Sequence, residues 1–115
     1  MPHAALFSHV AAIVHHGGAG TTTAAAAAGV PQVILPHILD QYYWAHRIDR
    51  LGLGPRALSV ELITADILTD RIDTALNDEG IRKRAAALGP AVAARNGANA
   101  AADLLERLVA GPARP

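Results

Sequence analysis

The feature that most constrains the fold is a glycine-rich turn that separates two short apolar runs. Residues 10–16 read Val-Ala-Ala-Ile-Val-His-His and stop at Gly17 and Gly18. Residues 30–36 form a second run of similar character, and a threonine-led stretch of alanines that ends at Gly29 lies between the two. Short β-rich runs are typical of buried strands, and parallel strands need a crossover, usually a helix, between them. The order of these segments therefore predicts a βαβ unit.

The rest of the chain has mainly helical periodicity. A helix that carries Trp44, Ile48 and Leu51 on one face ends at a Gly-Leu-Gly-Pro stop, and a short third strand is expected at residues 56–60. Thr64 is the expected N-cap of the next helix. Further apolar stripes at helical spacing consist of Leu68, Ile72, Ala75 and Leu76, then Ile81, Ala85, Leu88 and Val92, then Ala101, Leu104, Leu105 and Leu108.

Two or three strands for about five helices are fewer than the strands of a complete doubly wound sheet, in which both faces are covered. We therefore expect a helix-rich α/β fold that forms the second half of a Rossmann-like, doubly wound parallel sheet and begins within a longer polypeptide. Residues 1–110 are expected to form this half-domain, and residues 111–115, Gly-Pro-Ala-Arg-Pro, a disordered tail.

Composition excludes several classes of function. Ten basic and ten acidic side chains give a formal net charge of zero, so the chain lacks the basic surface typical of nucleic-acid-binding proteins. The absence of cysteine excludes disulfides and suits the cytoplasm, which is the expected location. Gly29, Pro31, Gln32 and Pro36 interrupt the longest apolar stretch, well short of the roughly 20 apolar residues of a spanning helix. We expect neither a membrane span nor a secretory leader.

The glycine turn has the properties of an anion site. Glycine allows close approach of the backbone to a ligand and positive φ angles. The free N–H groups of the following helix, aided by its macrodipole, suit a diphosphate, and His15 can add a ring N–H to the same phosphate. The alternative is a tight strand-to-helix turn with histidines at its edge, because a single glycine-rich turn is a weak signal.

Asp40 and Gln41 form a second polar cluster. They follow the second predicted strand, at the edge of the sheet where open α/β folds bind ligands. A carboxylate beside an amide offers donors and acceptors for neighbouring sugar hydroxyls. The alternative is that Asp40 is only the N-cap of the helix that carries Trp44.

The histidines do not follow a pattern of metal ligands. His15 and His16 are adjacent, so on a strand they point to opposite faces, and His37 and His46 belong to different elements. We expect no metal site.

Several ordered motifs together resemble one protein family. They are His-His-Gly-Gly-Ala-Gly-Thr-Thr from residue 15, Ala-Gly-Val-Pro-Gln-Val at 28–33, Asp-Gln at 40–41, Trp-Ala at 44–45 and Leu-Gly-Leu-Gly-Pro at 51–55. The chain resembles the C-terminal donor-binding domain of nucleotide-sugar glycosyltransferases of the GT-B fold. Within that group it is most similar to the bacterial family-1 branch that glycosylates macrolides, glycopeptides and sterols. The resemblance extends from about residue 7 to residue 108.

The resemblance implies a role for each polar cluster. The donor's diphosphate is expected to be bound by His15 and by the backbone of Gly17, Gly18, Ala19, Gly20 and Thr21. The hydroxyls of the transferred sugar are expected to be bound by Asp40 and Gln41. The implied donor is a UDP or dTDP sugar, with no other cofactor, and the implied reaction is inverting transfer to an acceptor hydroxyl of a natural product or lipid.

In the family, the catalytic base and the acceptor pocket belong to an N-terminal domain that nothing in this chain matches. No catalytic residue is therefore expected here, and the chain alone is expected to be inactive and to self-associate. Two alternatives stay open: a donor-binding subunit of a two-chain glycosyltransferase, and a non-catalytic α/β interaction module.

Overall fold

The computed structural model describes residues 10–95 and 97–110. Within these ranges the chain has a helix-rich α/β fold with a two-stranded parallel sheet, which confirms the expected fold class. The tail expected at residues 111–115 lies outside the described residues. In chain order the elements are β1 (Ile13–His15), α1 (Ala19–Ala27), β2 (Gln32–Ile34), α2 (Leu39–Leu51), a 3-10 turn (Val60–Leu62), α3 (Ala65–Asn77), α4 (Glu79–Ala93) and α5 (Gly97–Ala110).

The βαβ unit is confirmed, and small side chains make it compact. Ala25 of α1 is fully buried and packs against Ile13 of β1 and Val30. Because alanine adds little bulk beyond the helix backbone, α1 can lie close to the strand, at the cost of a small buried area per residue. Gly29 follows the helix with a φ of 71°, a left-handed conformation that glycine adopts without steric cost.

The prediction of a third strand at residues 56–60 is wrong. The segment after α2 lies beside β2 but has only two separate backbone bonds there, one to β2 itself and one to Pro36 just after it. The N–H of Gln32 donates to the carbonyl oxygen of Leu53 over 2.9 Å, and the N–H of Val60 donates to that of Pro36 over 3.1 Å. The segment thus follows the free edge of β2 without forming a strand.

The composition of the segment explains why a strand does not form. Gly54 lies so close to β2 that an added Cβ would be 1.8 Å from the carbonyl oxygen of Gln32. Pro55 has no N–H to contribute to a ladder. Gly54 and Pro55 thus allow the segment to lie against β2 and also prevent a regular ladder of hydrogen bonds between the two.

The main core lies between helices. Trp44 of α2 is 5% exposed. It packs in a cluster with Ala26, Val92, Ala101 and Leu105. A second cluster contains Ile34, Ala45, Ile48, Leu53 and Ala85. These contacts fix α2 against the end of β2, and so fix where its first turn lies.

The sheet is asymmetric across its two strands. Val33 of β2 is 2% exposed, whereas its register partner Val14 of β1 is 45% exposed. The strands are parallel, so both carboxyl ends, and the turns that follow them, lie at one edge.

Candidate functional site at the carboxyl edge of the sheet

The two β-to-α turns touch each other at this edge. Gly17 has a φ of 101°. A Cβ there would lie 2.9 Å from both the backbone oxygen of Gln41 and Cγ2 of Ile34. Only glycine combines this backbone conformation with this lack of space. The turn after β1 is therefore packed directly against the first turn of α2, and the two polar clusters meet.

The first turn of α1 presents free backbone donors. Its N-cap is Gly18, which has no side-chain cap. The N–H of Thr22 donates to the carbonyl oxygen of Gly18 over 2.9 Å. The N–H groups of Ala19, Gly20 and Thr21 precede this bond and have no helical carbonyl to bond to. Such groups, together with the helix dipole, favour an anion at this position.

The ring of His15 is bonded within the chain at both nitrogens. Nε2 lies 2.7 Å from Oε1 of Gln32, and Nδ1 accepts the N–H of Gly17 over 3.0 Å. Burial lowers the pKa of His15; the bond to Gln32 opposes this shift, and the neighbouring His16 adds to it. The neutral ring therefore supports the turn through both nitrogens. The expected contact of His15 with phosphate stays a prediction, and it would require Nε2 to break its bond to Gln32 and bond the phosphate instead.

Gln32 is a functional candidate that the sequence interpretation missed. Its side chain is 1% exposed on a strand whose other residues are apolar. Its amide nitrogen donates to the carbonyl oxygen of Thr22 over 3.2 Å. The available signal was a long amide inside a buried apolar run, which needs polar partners.

His16 is a second missed candidate. It is exposed at the start of the turn, and a Cβ on Gly18 would lie 3.2 Å from its Cε1. Its ring also faces that of His37 at a right angle, with 6.4 Å between centroids. His16 thus lies at the entrance to the free donors of α1, where the sequence interpretation placed His15.

The start of α2 is capped by its own side chain. Oε1 of Gln41 accepts the N–H of His37 over 2.8 Å and that of Ile38 over 3.2 Å. The N-cap is Ile38, and Asp40 lies inside the first turn. The alternative in which Asp40 is only an N-cap is therefore wrong, because Gln41 takes the capping role and leaves the exposed carboxylate of Asp40 free to meet a ligand.

His37 has a defined proton position. Its Nδ1 lies 2.9 Å from the carbonyl oxygen of Leu35, which can only accept, so Nδ1 carries the proton. In this tautomer the exposed Nε2 is a hydrogen-bond acceptor. The sequence interpretation considered His37 only as a metal ligand.

Two other features of the described residues bear on function. No group of three or more His, Cys, Asp or Glu side chains among them is placed to hold a metal ion. Within the same ranges, none of the helices has both the length and the apolar character needed to cross a membrane.

The chain is similar in sequence to a known protein family and to characterised relatives. Residues 1–108 match the family described as the erythromycin biosynthesis protein CIII-like, C-terminal domain. The chain is 42% identical over 101 residues to the O-mycaminosyltylonolide 6-deoxyallosyltransferase of Streptomyces fradiae, an alignment that covers 88% of this chain and 24% of that protein. It is 44% identical over 100 residues to the vancomycin aglycone glucosyltransferase of Amycolatopsis orientalis, with 81% and 24% covered. The chain thus spans about a quarter of the length of these relatives.

A solved structure has the same fold. The glycosyltransferase VinC, determined in complex with DTDP, superimposes with a TM-score of 0.74 at 32% sequence identity. The match covers 96% of this chain and 28% of that structure.

Proposed function

Because this chain belongs to the family of erythromycin biosynthesis protein CIII-like C-terminal domains, and so to the GT-B glycosyltransferases, we propose that it binds the donor, a nucleoside diphosphate sugar. The sugar is transferred with inversion to an acceptor hydroxyl of a natural product or lipid. The donor is a UDP or dTDP sugar; a similar glycosyltransferase of known structure is in complex with DTDP, which supports the thymidine form. The cytoplasmic location expected from the sequence stays a prediction.

The observation that carries this proposal is the contact between the two turns. Free N–H groups at the start of α1 suit a diphosphate. A Cβ on Gly17 would lie 2.9 Å from the backbone oxygen of Gln41, so the glycine turn packs against the residue that follows Asp40, whose carboxylate is exposed. In a nucleoside diphosphate sugar the diphosphate and the sugar are directly bonded, so adjacent sites for an anion and for hydroxyls match the ligand.

The structure suggests a division of roles among the predicted site residues. The N–H groups of Ala19, Gly20 and Thr21 bind the diphosphate, with the exposed ring of His16 beside them. His15, Gly17 and Gly18 form the turn that holds these groups in place.

The sugar is bound from the first turn of α2. Asp40 accepts hydrogen bonds from its hydroxyls, and the amide nitrogen of Gln41 donates to them, because only the amide oxygen is used in capping. Nε2 of His37 accepts a further hydroxyl.

This chain contributes to the reaction by stabilising the leaving group. As the bond between the sugar and the diphosphate breaks, negative charge develops on the departing oxygen. Fixed N–H donors and the positive end of the α1 dipole offset that charge without reorganising. Taking the proton from the acceptor hydroxyl requires a base, and we propose that the base lies in the part of a full-length transferase that this chain does not span.

The first test is an NMR titration of the chain with dTDP and with UDP. The amide signals of Ala19, Gly20 and Thr21 are expected to shift with the same saturation curve. A response confined to residues distant from α1 would contradict the diphosphate site and favour the alternative of a non-catalytic interaction module.

The second test separates sugar from diphosphate. Asp40→Asn is expected to weaken binding of a dTDP sugar while affinity for dTDP itself stays nearly unchanged. Asp49→Asn is the matched control, because Asp49 is also an exposed carboxylate on the same helix, nine residues from Asp40. Equal losses for both ligands, or an equal effect of the control, would count against a sugar-specific role of Asp40.

A further inference from the structure

Three hydrogen bonds form a continuous chain behind the glycine turn. The N–H of Gly17 donates to Nδ1 of His15 over 3.0 Å, Nε2 of His15 lies 2.7 Å from Oε1 of Gln32, and Nε2 of Gln32 donates to the carbonyl oxygen of Thr22 over 3.2 Å. We propose that Gln32 is a positioning residue that holds the anion-binding turn in its binding shape through the ring of His15. The inference rests on the proposed function of this turn as the diphosphate site.

The groups at the two ends of this series of hydrogen bonds determine which atom donates and which accepts in each bond. At one end the backbone N–H of Gly17 can only donate, and at the other the carbonyl oxygen of Thr22 can only accept. Nδ1 of His15 must therefore be unprotonated, and the proton of the neutral ring is at Nε2, where it is donated to Gln32. The same logic orients the amide of Gln32, whose oxygen faces His15 and whose nitrogen faces α1. Every member of the chain thus has a single role.

The three hydrogen bonds connect the two ends of the segment that carries the unbonded N–H groups of α1. Gly17 and Thr22 lie on either side of the residues whose N–H groups have no helical partner. One side chain on the neighbouring strand therefore fixes both ends of that segment. Gly17 is held at a φ of 101°, and the first turn of α1 is held at a set distance from the end of β1.

The backbone and the side chain of Gln32 are both fixed by their surroundings. Its backbone N–H donates to Leu53 over 2.9 Å, and its carbonyl group lies against Gly54. Its side chain is 1% exposed, so water cannot replace a lost hydrogen bond. A buried amide is costly unless its partners are present, and both ends of this one have partners.

The inference predicts a specific proton position, which can be measured without any ligand. In the 115-residue chain labelled with ¹⁵N-histidine, His15 at neutral pH is expected to be protonated at Nε2 and unprotonated at Nδ1. A ring protonated at Nδ1, or an equal mixture of the two tautomers, would overturn the proposal.

Variants at Gln32 test the chain further. Gln32→Met keeps the length of the side chain but removes both of its hydrogen bonds, so only the N–H of Gly17 still orients the ring of His15 and the Nδ1-protonated tautomer is expected to become detectable. Loss of one net hydrogen bond predicts that hydrogen exchange at the Gly17 amide speeds up by about fivefold. Gln32→Glu is expected to keep the Nε2-protonated form of His15, because a carboxylate still accepts that proton. An Nε2-protonated His15 and an unchanged Gly17 exchange rate in Gln32→Met would contradict the inference.

Thr23→Val is the matched control. Thr23 is also buried on α1, and its hydroxyl donates to the carbonyl oxygens of Ala19 and Gly20 outside the chain of bonds. Its loss is expected to change stability but not the tautomer of His15. A tautomer change in this variant equal to that in Gln32→Met would show a general response to core substitution and overturn the proposal.

Titration with dTDP separates the inference from the proposed function. If the wild-type chain binds dTDP and Gln32→Met binds it about fivefold more weakly, both stand. If both proteins bind it equally well, the positioning role is wrong and the diphosphate site stands. If the wild-type chain shows no response at α1, the proposed function is wrong, and the tautomer measurement still decides whether the chain of bonds exists.

Discussion

The turn that begins α1 and the turn that begins α2 both follow a parallel strand at the same edge, yet only in the second does a side chain bond the backbone N–H groups just before the helix. At α1 the N-cap is Gly18 without a side-chain cap, and within residues 10–95 and 97–110 nothing bonds the first N–H groups of the helix. At α2 the side chain of Gln41 accepts the N–H groups of His37 and Ile38. The start of α1 therefore presents backbone N–H groups without a side-chain partner, whereas at the start of α2 a side chain holds the backbone that enters the helix and the exposed carboxylate of Asp40 lies beside it.

This difference fits the two parts of the proposed donor. A diphosphate carries charge on several oxygens, so it is suited to a row of N–H groups and a helix dipole. A sugar differs from other sugars in where its hydroxyls point, so it is suited to side chains such as Asp40 and His37. The conformation of the turn before α1 then depends on Gly17, and that of the turn before α2 depends on the side-chain amide of Gln41.

The largest effect is expected at Gly17. Gly17→Ala places a Cβ 2.9 Å from Gln41 and Ile34 at a φ of 101°. Strain of this kind is expected to lower the free energy of unfolding by about 2–3 kcal/mol. Gly20→Ala is the control, because a Cβ there meets nothing within 4 Å. Urea unfolding checks both, and equal stability of the two variants would remove glycine's special role at the first turn.

A smaller loss is expected at Gln41. Gln41→Leu leaves the N–H groups of His37 and Ile38, just before α2, without their acceptor, which is expected to cost about 1 kcal/mol. Gln41→Glu keeps an acceptor at the same length and is expected to stay close to wild type. Thermal unfolding measures both. If Gln41→Leu were as stable as Gln41→Glu, the second turn would not depend on its own cap.

The smallest effect on stability is expected at Gly18, with the opposite sign. Gly18 has φ −63° and ψ 147°, which serine adopts readily. The new Cβ would lie 3.2 Å from Cε1 of His16, whose exposed ring can move away. The hydroxyl of Gly18→Ser can then bond the N–H groups at the start of α1, which is expected to raise stability by about 0.3 kcal/mol. Because it competes for the same donors, it is expected to weaken dTDP binding, as measured by calorimetry. Unchanged affinity would show that these donors are not the diphosphate site.

The sequence by itself determined the βαβ unit, the helices and the edge at which the polar clusters lie. These follow from local patterns: β-rich runs, helical spacing, and glycines that end or begin a helix. The order of the motifs was also enough to identify the family. The third strand was predicted wrongly, because local composition cannot show that Gly54 approaches β2 too closely for regular pairing.

Only the tertiary structure decided which hydrogen-bond partners the candidate site residues have. The hydrogen bond that holds the ring of His15 depends on where Gln32 lies, and Gln32 is 17 residues from His15 in sequence. The capping of α2 by Gln41 rather than Asp40 depends on how the chain enters the helix. Hydrogen bonds are short and directional, so partners separated along the chain are assigned only when folding brings their atoms within about 3 Å of each other.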